Sequence, residues 1–324
     1  MAKKTLLQAI NDALDQTMDN DDSVVVYGED VGYEGGVFRT TAGLQKKYGE
    51  KRVFDTPIAE AAISGSAVGM ALNGLKPVIE MQFSGFSLPA YNQVVSHFAR
   101  FRNRTRGKYH LPIVMRMPYG GGVKALEHHS ESLESLYAHI PGLKVVIPST
   151  PYDAKGLMTA AINDPDPVIF MEPKRIYRAF KQDIPDESYE VEIGKARIVK
   201  EGNDLTIIGW GSKIRDIEAA VNEEDVDAEI IDLRTISPID RDTIIQSVKK
   251  TGRALIVHEA YKSFGPGAEL VSLINEGAFY YLEAAPKRLA GFDVTVPLPK
   301  GEHHFIIDKD RIKYEIDALL KAQA

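Results

Sequence analysis

"DLTIIGWGSKIRDIEAAVNEEDVDAEIIDLR", residues 204–234, carries the pattern that decides the fold. Its two strand signals, "DLTIIGWG" and "AEIIDLR", are apolar on consecutive rather than alternate residues, so both faces of each strand must be covered. A helix is expected between them, at about residues 212–223. Downstream the alternation continues. A helix at about 240–250 precedes the strand "RALIVHEA" (253–260), and one at about 266–276 precedes the short strand "PKRLAG" (286–291). Such alternation predicts a parallel sheet sandwiched between helices.

A similar block lies upstream. "SVVVYGEDV" (23–31), "KPVIEMQF" (76–83), "LPIVMRMPYGGGV" (111–123), "LKVVIPS" (143–149) and "DPVIFMEP" (166–173) read as strands. Between them, "TLLQAINDALDQTM" (5–18) and "LPAYNQVVSHFARFRNR" (88–104) place apolar residues at helical spacing. "HSESLESLYAHIPG" (129–142) reads as a short helix stopped by Pro and Gly. "TPYDAKGLMTAAIND" (150–164) has Thr150 as a cap and Pro151 at the first helical position. Residues 181–192, "KQDIPDESYEVE", are acidic, polar and interrupted by proline, which marks a boundary. The expected architecture is α/β, with two parallel-sheet three-layer domains at 1–185 and 192–324.

The 324 residues are 44% hydrophobic and 26% charged, enough for two cores of ordinary size. A net charge of −7, with one mixed basic stretch at "ARFRNRTRGKYH" (99–110), speaks against general nucleic-acid binding. With no cysteine, disulfides, thiolate metal sites and cysteine nucleophiles are excluded. The start, "MAKKTLLQAINDALDQTM", lacks the apolar core of a signal peptide, and no apolar run reaches membrane-spanning length. A cytoplasmic location with no membrane partner is therefore expected.

Ligands of parallel sheets collect at the carboxyl ends of strands. The residues there are Gly28-Glu29-Asp30, Asp55-Thr56, Phe83 to Phe86, Tyr119 to Val123, Trp210-Gly211 and His258-Glu259. The loops "GYEGG", "PYGGGV" and "FGPGA" lack the Gly-Lys-Ser/Thr ending of a phosphate loop and read as turns. His128 and His129 would point to opposite sides of an extended segment, so joint metal binding is awkward. One of them could donate to an anionic substrate at a helix start; the alternative is a surface histidine. His303-His304 reads as a surface pair. Glu60 lies in "FDTPIAEAAISGSAVGMALNG" (54–74), with Thr56 as the expected helix cap and Pro57 as the first helical residue. A carboxylate in a first turn gains ~0.3–1 kcal/mol from the helix dipole. Yet Ser64, Ala67 and Ala71 share its face, a surface that calls for burial. A desolvated carboxylate there needs a hydrogen-bonded partner, from a ligand or another chain.

The run "GEDVGYEGGVFRTTAGLQKKYGEKRVFDTPIAEAAISGSAVGMALNG" (28–74) strongly resembles the β chain of the thiamine-diphosphate-dependent decarboxylase component of 2-oxo acid dehydrogenase complexes. "PGLKVVIPSTPYDAKGL" (141–157) and "GKARIVKEGNDLTIIGWGSKI" (194–214) continue the match, which covers nearly the whole chain. The resemblance implies a pyrimidine-binding domain followed by a transketolase C-terminal-like domain. It also implies an α₂β₂ heterotetramer with the cofactor at α–β interfaces. The α chain holds the diphosphate and its magnesium through a Gly-Asp-Gly motif, and this sequence contains no Asp-Gly pair.

Carried over residue by residue, the resemblance makes Glu60 the group that hydrogen-bonds the pyrimidine nitrogen. The imino tautomer so favoured then takes the thiazolium proton. Phe86 packs on the pyrimidine, with Glu29 and Ile58 near the same ring. His129, before Ser130, orients substrate and assists transfer to the lipoyl group; Lys124 stands where many relatives have a further histidine. A structural potassium is implied at Leu111, Ile113, Val114, Ala161, Asp164 and Asp166, mainly through backbone carbonyls. "MEPKRIYR", "IIGWGS" and "KRLAGFD" look more like enzymes of branched-chain 2-oxo acids, with pyruvate or acetoin as alternatives. The lipoyl-bearing acyltransferase core is expected to dock through its subunit-binding domain on the C-terminal block, where Asp293 is a candidate contact. The non-enzyme alternative is a scaffold subunit that only holds its partners; the retained Glu60, Phe86 and His129 argue against it.

Overall fold

The computed structural model describes residues 1–322. Its strands are β1 (Ala2–Lys4), β2 (Val24–Gly28), β3 (Val53–Asp55), β4 (Lys76–Glu80), β5 (Val114–Tyr119), β6 (Lys144–Val146) and β7 (Val168–Pro173). They continue as β8 (Gln182–Ile184), β9 (Arg197–Lys200), β10 (Leu205–Gly209), β11 (Ala228–Asp232), β12 (Thr235–Ser237), β13 (Ala254–Tyr261) and β14 (Lys287–Gly291). One sheet runs β12-β6-β7-β5-β4-β2-β3 and a second runs β14-β13-β10-β11-β9. All neighbours are parallel except β12 on β6 and β9 on β11, which are antiparallel edges. The fold is therefore the expected pair of α/β layers.

The apolar runs explain the cores. Val24, Val26, Val78, Val114, Phe170 and Val168 point to one side of the first sheet, where they meet the helices Leu6–Asn20 and Pro151–Asn163. Residues one step out of phase, among them Val25, Tyr27, Ile79, Met115 and Ile169, fill the other side and continue without a break into Ile208, Trp210 and Ile231 of the second sheet. Period-two alternation of this kind, apolar on both faces, is what a doubly covered strand requires. The Leu6 helix carries the reciprocal Thr5–Gln8 cap, and Thr150 with Pro151 opens the later helix as expected.

Four short strands escape the sequence pattern. β1 pairs with β8, which lies inside the polar stretch 181–192. β9 edges the second sheet, and β12, from the C-terminal half, adds to β6 of the first sheet. The helix expected over 88–104 is a composite: a 3₁₀ stretch at Ser84–Ala90, one α turn, a π turn at Val94–Phe98 and a last α turn at Phe101–Arg104. Among the described residues no helix is long and apolar enough to cross a membrane.

The carboxyl edges of the two sheets face each other across a polar seam. Trp210 lies flat on His258, with ring centroids 5.1 Å apart, and donates its Nε1–H to Glu134 at 3.2 Å. Lys213 is buried between Asp216 and Glu259, and Ser212 donates to Glu259 at 2.9 Å. Burial pushes Glu134 up to about 7, and burial with the nearby Arg288 charge pushes His258 down to about 3.

Candidate active site

At the carboxyl end of β2 the chain turns at Gly28, where any β-carbon would sit 2.7 Å from the Glu80 carbonyl. Glu29 follows immediately and is buried. Burial raises its pKa, and the neighbouring carboxylates of Glu60 and Asp30 raise it further. Glu29 and Glu60 thus share one small region.

The approach to Glu60 differs from expectation. Thr56 does not cap the helix: its N–H donates to the Gly28 carbonyl at 3.0 Å, which prolongs the β2–β3 ladder, and its hydroxyl is buried without a partner. The helix begins at Glu60 itself, with Ala59 in the cap position, and runs to Leu72. The cause is competition for the Thr56 backbone, which a strand hydrogen bond holds extended. Glu60 sits at the positive end of the helix, and Ser64 Oγ bonds back to its carbonyl at 2.8 Å.

Nor is Glu60 fully buried within this chain. It is half-buried, while Ala61, Ala62 and Leu72 are exposed and Ile58 is 83% exposed. Ile63, Ser64, Ala67 and Ala71 form the inner face. The surface around Glu60 is therefore apolar, open and made of small side chains. No segment of the described chain covers it.

The helix Glu60–Leu72 packs on the 3₁₀ stretch that carries Phe86. Phe86 meets His129 edge-on at 5.0 Å between ring centroids, and Phe83 meets the same imidazole at 4.4 Å. Gly85 makes this closeness possible, since a β-carbon there would lie 2.3 Å from the His128 carbonyl oxygen. The two histidines separate clearly. His128 is exposed and 3.8 Å from Glu131, whereas His129 is tucked against the phenylalanines with Nδ1 buried and unpartnered. They occupy a 3₁₀ turn, Glu127–His129, rather than an extended segment, and the next helix starts only at Glu134. His303 and His304 are exposed, as expected of a surface pair.

The residues assigned to a potassium site lie on two neighbouring segments, 111–114 at the start of β5 and 161–166 before β7. Leu111, Ile113 and Val114 lead into β5, and the Val168 N–H bonds the Ile113 carbonyl at 2.9 Å, bringing the turn after Ala161 alongside. The carbonyls of Leu111, Ile113 and Ala161 each accept one backbone N–H, which leaves each a second lone pair. The carboxylates of Asp164 and Asp166 are committed to Lys144 and Arg102. A cation held by backbone oxygens fits this arrangement; one held by those carboxylates does not. Among the described residues no cluster of three His, Asp or Glu side chains could hold a metal. Asp293 is exposed, though it already accepts from Ser263 N and Oγ at 2.9 and 2.7 Å.

Two facing parallel sheets, with an open acidic and apolar site at the carboxyl edge of the first, define a transketolase-type pair of domains. Residues 2–179 match the family model "Transketolase, pyrimidine binding domain" and residues 194–312 match "Transketolase, C-terminal domain". The fold is also that of a solved structure described as "Split gene transketolase, inactive beta4 tetramer", with a TM-score of 0.79 over 99% of this chain and 100% of that one, at 19% identity. Closer relatives carry the name "Pyruvate dehydrogenase E1 component subunit beta". The protein of Acholeplasma laidlawii is 63% identical over 100% of both chains. That of Mycoplasma pneumoniae is 54% identical over 97% of both, and that of Bacillus subtilis 50% identical over 93% of this chain and 94% of its own. The chain belongs to the family of β chains of thiamine-diphosphate-dependent 2-oxo acid dehydrogenase components.

Proposed function

We propose that the chain is the β subunit of a pyruvate dehydrogenase E1 component, active with an α subunit in an α₂β₂ heterotetramer that reductively acylates the lipoyl group of an acyltransferase core. The names of the relatives support pyruvate and not the branched-chain 2-oxo acids expected from "MEPKRIYR", "IIGWGS" and "KRLAGFD". The observation that carries the catalytic reading is the pairing of Glu60 with the buried Glu29 beside an open apolar surface. That surface suits a flat heteroaromatic ring and a second polypeptide. Among the described residues no cluster of three His, Asp or Glu side chains could hold a magnesium ion, which in this reading lies with the diphosphate on the α chain.

Thiamine diphosphate, when bound, supplies a carbon nucleophile for the 2-oxo group and a sink for the electrons released with carbon dioxide. Glu60 shares a proton with the pyrimidine nitrogen and, once covered, does so away from water. Glu29 lies beside it, its own proton held more tightly by burial and by the neighbouring carboxylates. Phe86 and Ile58 give the ring apolar contacts. His129, steadied by Phe83 and Phe86, faces the substrate and donates to its developing negative charge. The backbone carbonyls around Leu111, Ile113, Val114, Ala161, Asp164 and Asp166 would hold a structural potassium ion. Docking of the core involves the second domain, with Asp293 at the contact, and the complex works in the cytoplasm.

The test is a reconstitution with the α subunit. Pyruvate should be decarboxylated faster than 2-oxoisovalerate, and Glu60→Gln should lower kcat by about 10²–10⁴-fold with cofactor still bound. Near-wild-type turnover of the Gln variant would instead mark the chain as a scaffold subunit.

A further inference from the structure

The loop that carries His129 is irregular and is held from two sides. Gly120, Gly122 and Lys124 all have left-handed backbone, with φ of +83°, +87° and +56°. A lysine in that region is strained unless its surroundings hold it there. At the base of the loop the Gly120 N–H bonds the Glu131 carbonyl at 2.9 Å, which closes residues 120–131 into a compact unit. From the first domain, the buried ammonium of Lys174 donates to the Gly120 carbonyl. From the second domain comes a carboxylate, Glu302, at the start of the one-turn helix Glu302–Phe305. Its Oε1 accepts the Gly122 N–H and its Oε2 the Lys124 N–H, both at 2.8 Å.

Glu302 is 3% exposed, and both its oxygens are used on loop amides. Phe305, on the same turn, is buried against Gly291 and close to Tyr261, which fixes the carboxylate to the second sheet. A bidentate acceptor is the one side chain that can satisfy two convergent N–H groups without burying an unpaired donor. The loop then returns through the turn Glu127–His129, where His129 N–H bonds the Leu126 carbonyl at 3.0 Å and Ser130 Oγ bonds the same carbonyl at 3.0 Å. Lys174 and Glu302 are also mutually attracting charges, so the two holds reinforce each other.

We infer that Glu302 is a positioning residue: through its carboxylate the C-terminal domain fixes the conformation of loop 120–130 and hence the place of the His129 imidazole. This rests on the reading of His129 as the substrate-facing group, but the hold on the loop can be tested separately.

The experiment uses the full chain assembled with its α subunit, as wild type, Glu302→Gln, Glu302→Ala, His129→Ala and the Glu302→Ala/His129→Ala double variant. Amide hydrogen exchange over peptides spanning 118–130 reports the loop directly. Exchange should quicken by about tenfold or more in Glu302→Ala, because two charge-assisted bonds are lost. Glu302→Gln should show a smaller rise, since its amide offers one acceptor and sets a donor against an N–H; it also keeps the test open if the Ala variant fails to fold. Acyl transfer to a lipoyl domain should fall in kcat with KM unchanged, and Glu302→Ala should add nothing to the loss already caused by His129→Ala. Unchanged loop exchange, or losses that multiply in the double variant, would overturn the inference. If His129→Ala transfers acyl groups at the wild-type rate, the role given to His129 falls, while the exchange data still decide whether Glu302 holds the loop.

Discussion

Replacing Glu134 with Gln should make the protein more stable relative to wild type at pH 8 than at pH 5, by about 2.5 kcal/mol. Glu134 is fully buried in the seam; one oxygen accepts from Trp210 and the other has no partner. Burial holds its pKa at about 7 in the folded chain, against 4.5 for an ordinary glutamate. A carboxyl whose folded pKa is raised retains its proton longer than in the unfolded chain, so stability falls as pH rises from about 4.5 to about 7 and is level above that. The penalty is about 3 kcal/mol at pH 8 and under about 1 kcal/mol at pH 5, taking ~1.4 kcal/mol per pKa unit. Gln cannot ionise, and its unpaired NH₂ contributes a term independent of pH, so comparing the two pH values isolates the ionisation. Trp210 is the only tryptophan of the chain and the hydrogen-bond partner of Glu134, so its fluorescence reports both quantities. Urea unfolding at the two pH values gives the stabilities. A titration of the folded chain should show a midpoint near 7 that vanishes in the variant. Equal stability differences at pH 5 and pH 8, with the titration persisting in Glu134→Gln, would refute the reasoning.

Three further outcomes are expected. Arg116 is buried between Glu172, bonded at 2.7 and 2.8 Å, and Glu80; Arg116→Met strands two carboxylates and should cost about 3–5 kcal/mol, seen as a lowered melting temperature, with part recovered when both glutamates become Gln. Gly85→Ala forces the Phe86 stretch away from the His128 carbonyl, so lipoyl acylation should drop while circular dichroism stays native. Ile58→Asp, at an exposed position, should change the stability of the isolated chain by less than about 0.5 kcal/mol yet prevent co-elution with the α subunit on a sizing column.

The parallel strands could be read because burial on both faces writes itself into consecutive residues such as Val24–Tyr27 and Ile207–Ile208. β1, β8, β9 and β12 could not, because three or four residues carry no period and their partners are remote, as Ala2 is from Ile184. Thr56-Pro57 points to too early a start for the Glu60 helix, because its capping chemistry is lost here to a strand hydrogen bond. Among the site residues, Glu29 and Glu60 are legible through the family-like run 28–74, and Phe86 and His129 through the short matches "MQFSGF" and "HHSES" beyond it. Local sequence alone left His128 and His129 equivalent; packing against Phe83 and Phe86 separates them. Glu134 and Glu302 carry no local signal, since their partners Trp210, Gly122 and Lys124 come from the opposite domain, and Lys174 carries none because its partner Gly120 is remote in sequence.

The antiparallel addition of β12 to β6 has a consequence for how the chain is made. When a ribosome has delivered residues 1–190, every parallel strand of the first sheet is present, yet the β6 edge, with Val145 and Val146, still lacks its neighbour. Nearly fifty more residues must emerge before Thr235–Ser237 can close it. Until then the nascent protein offers an apolar strand edge to any other chain nearby. Truncation between the two family-matched segments makes that transient exposure permanent, so a fragment ending near 190 should aggregate where the full chain stays in solution.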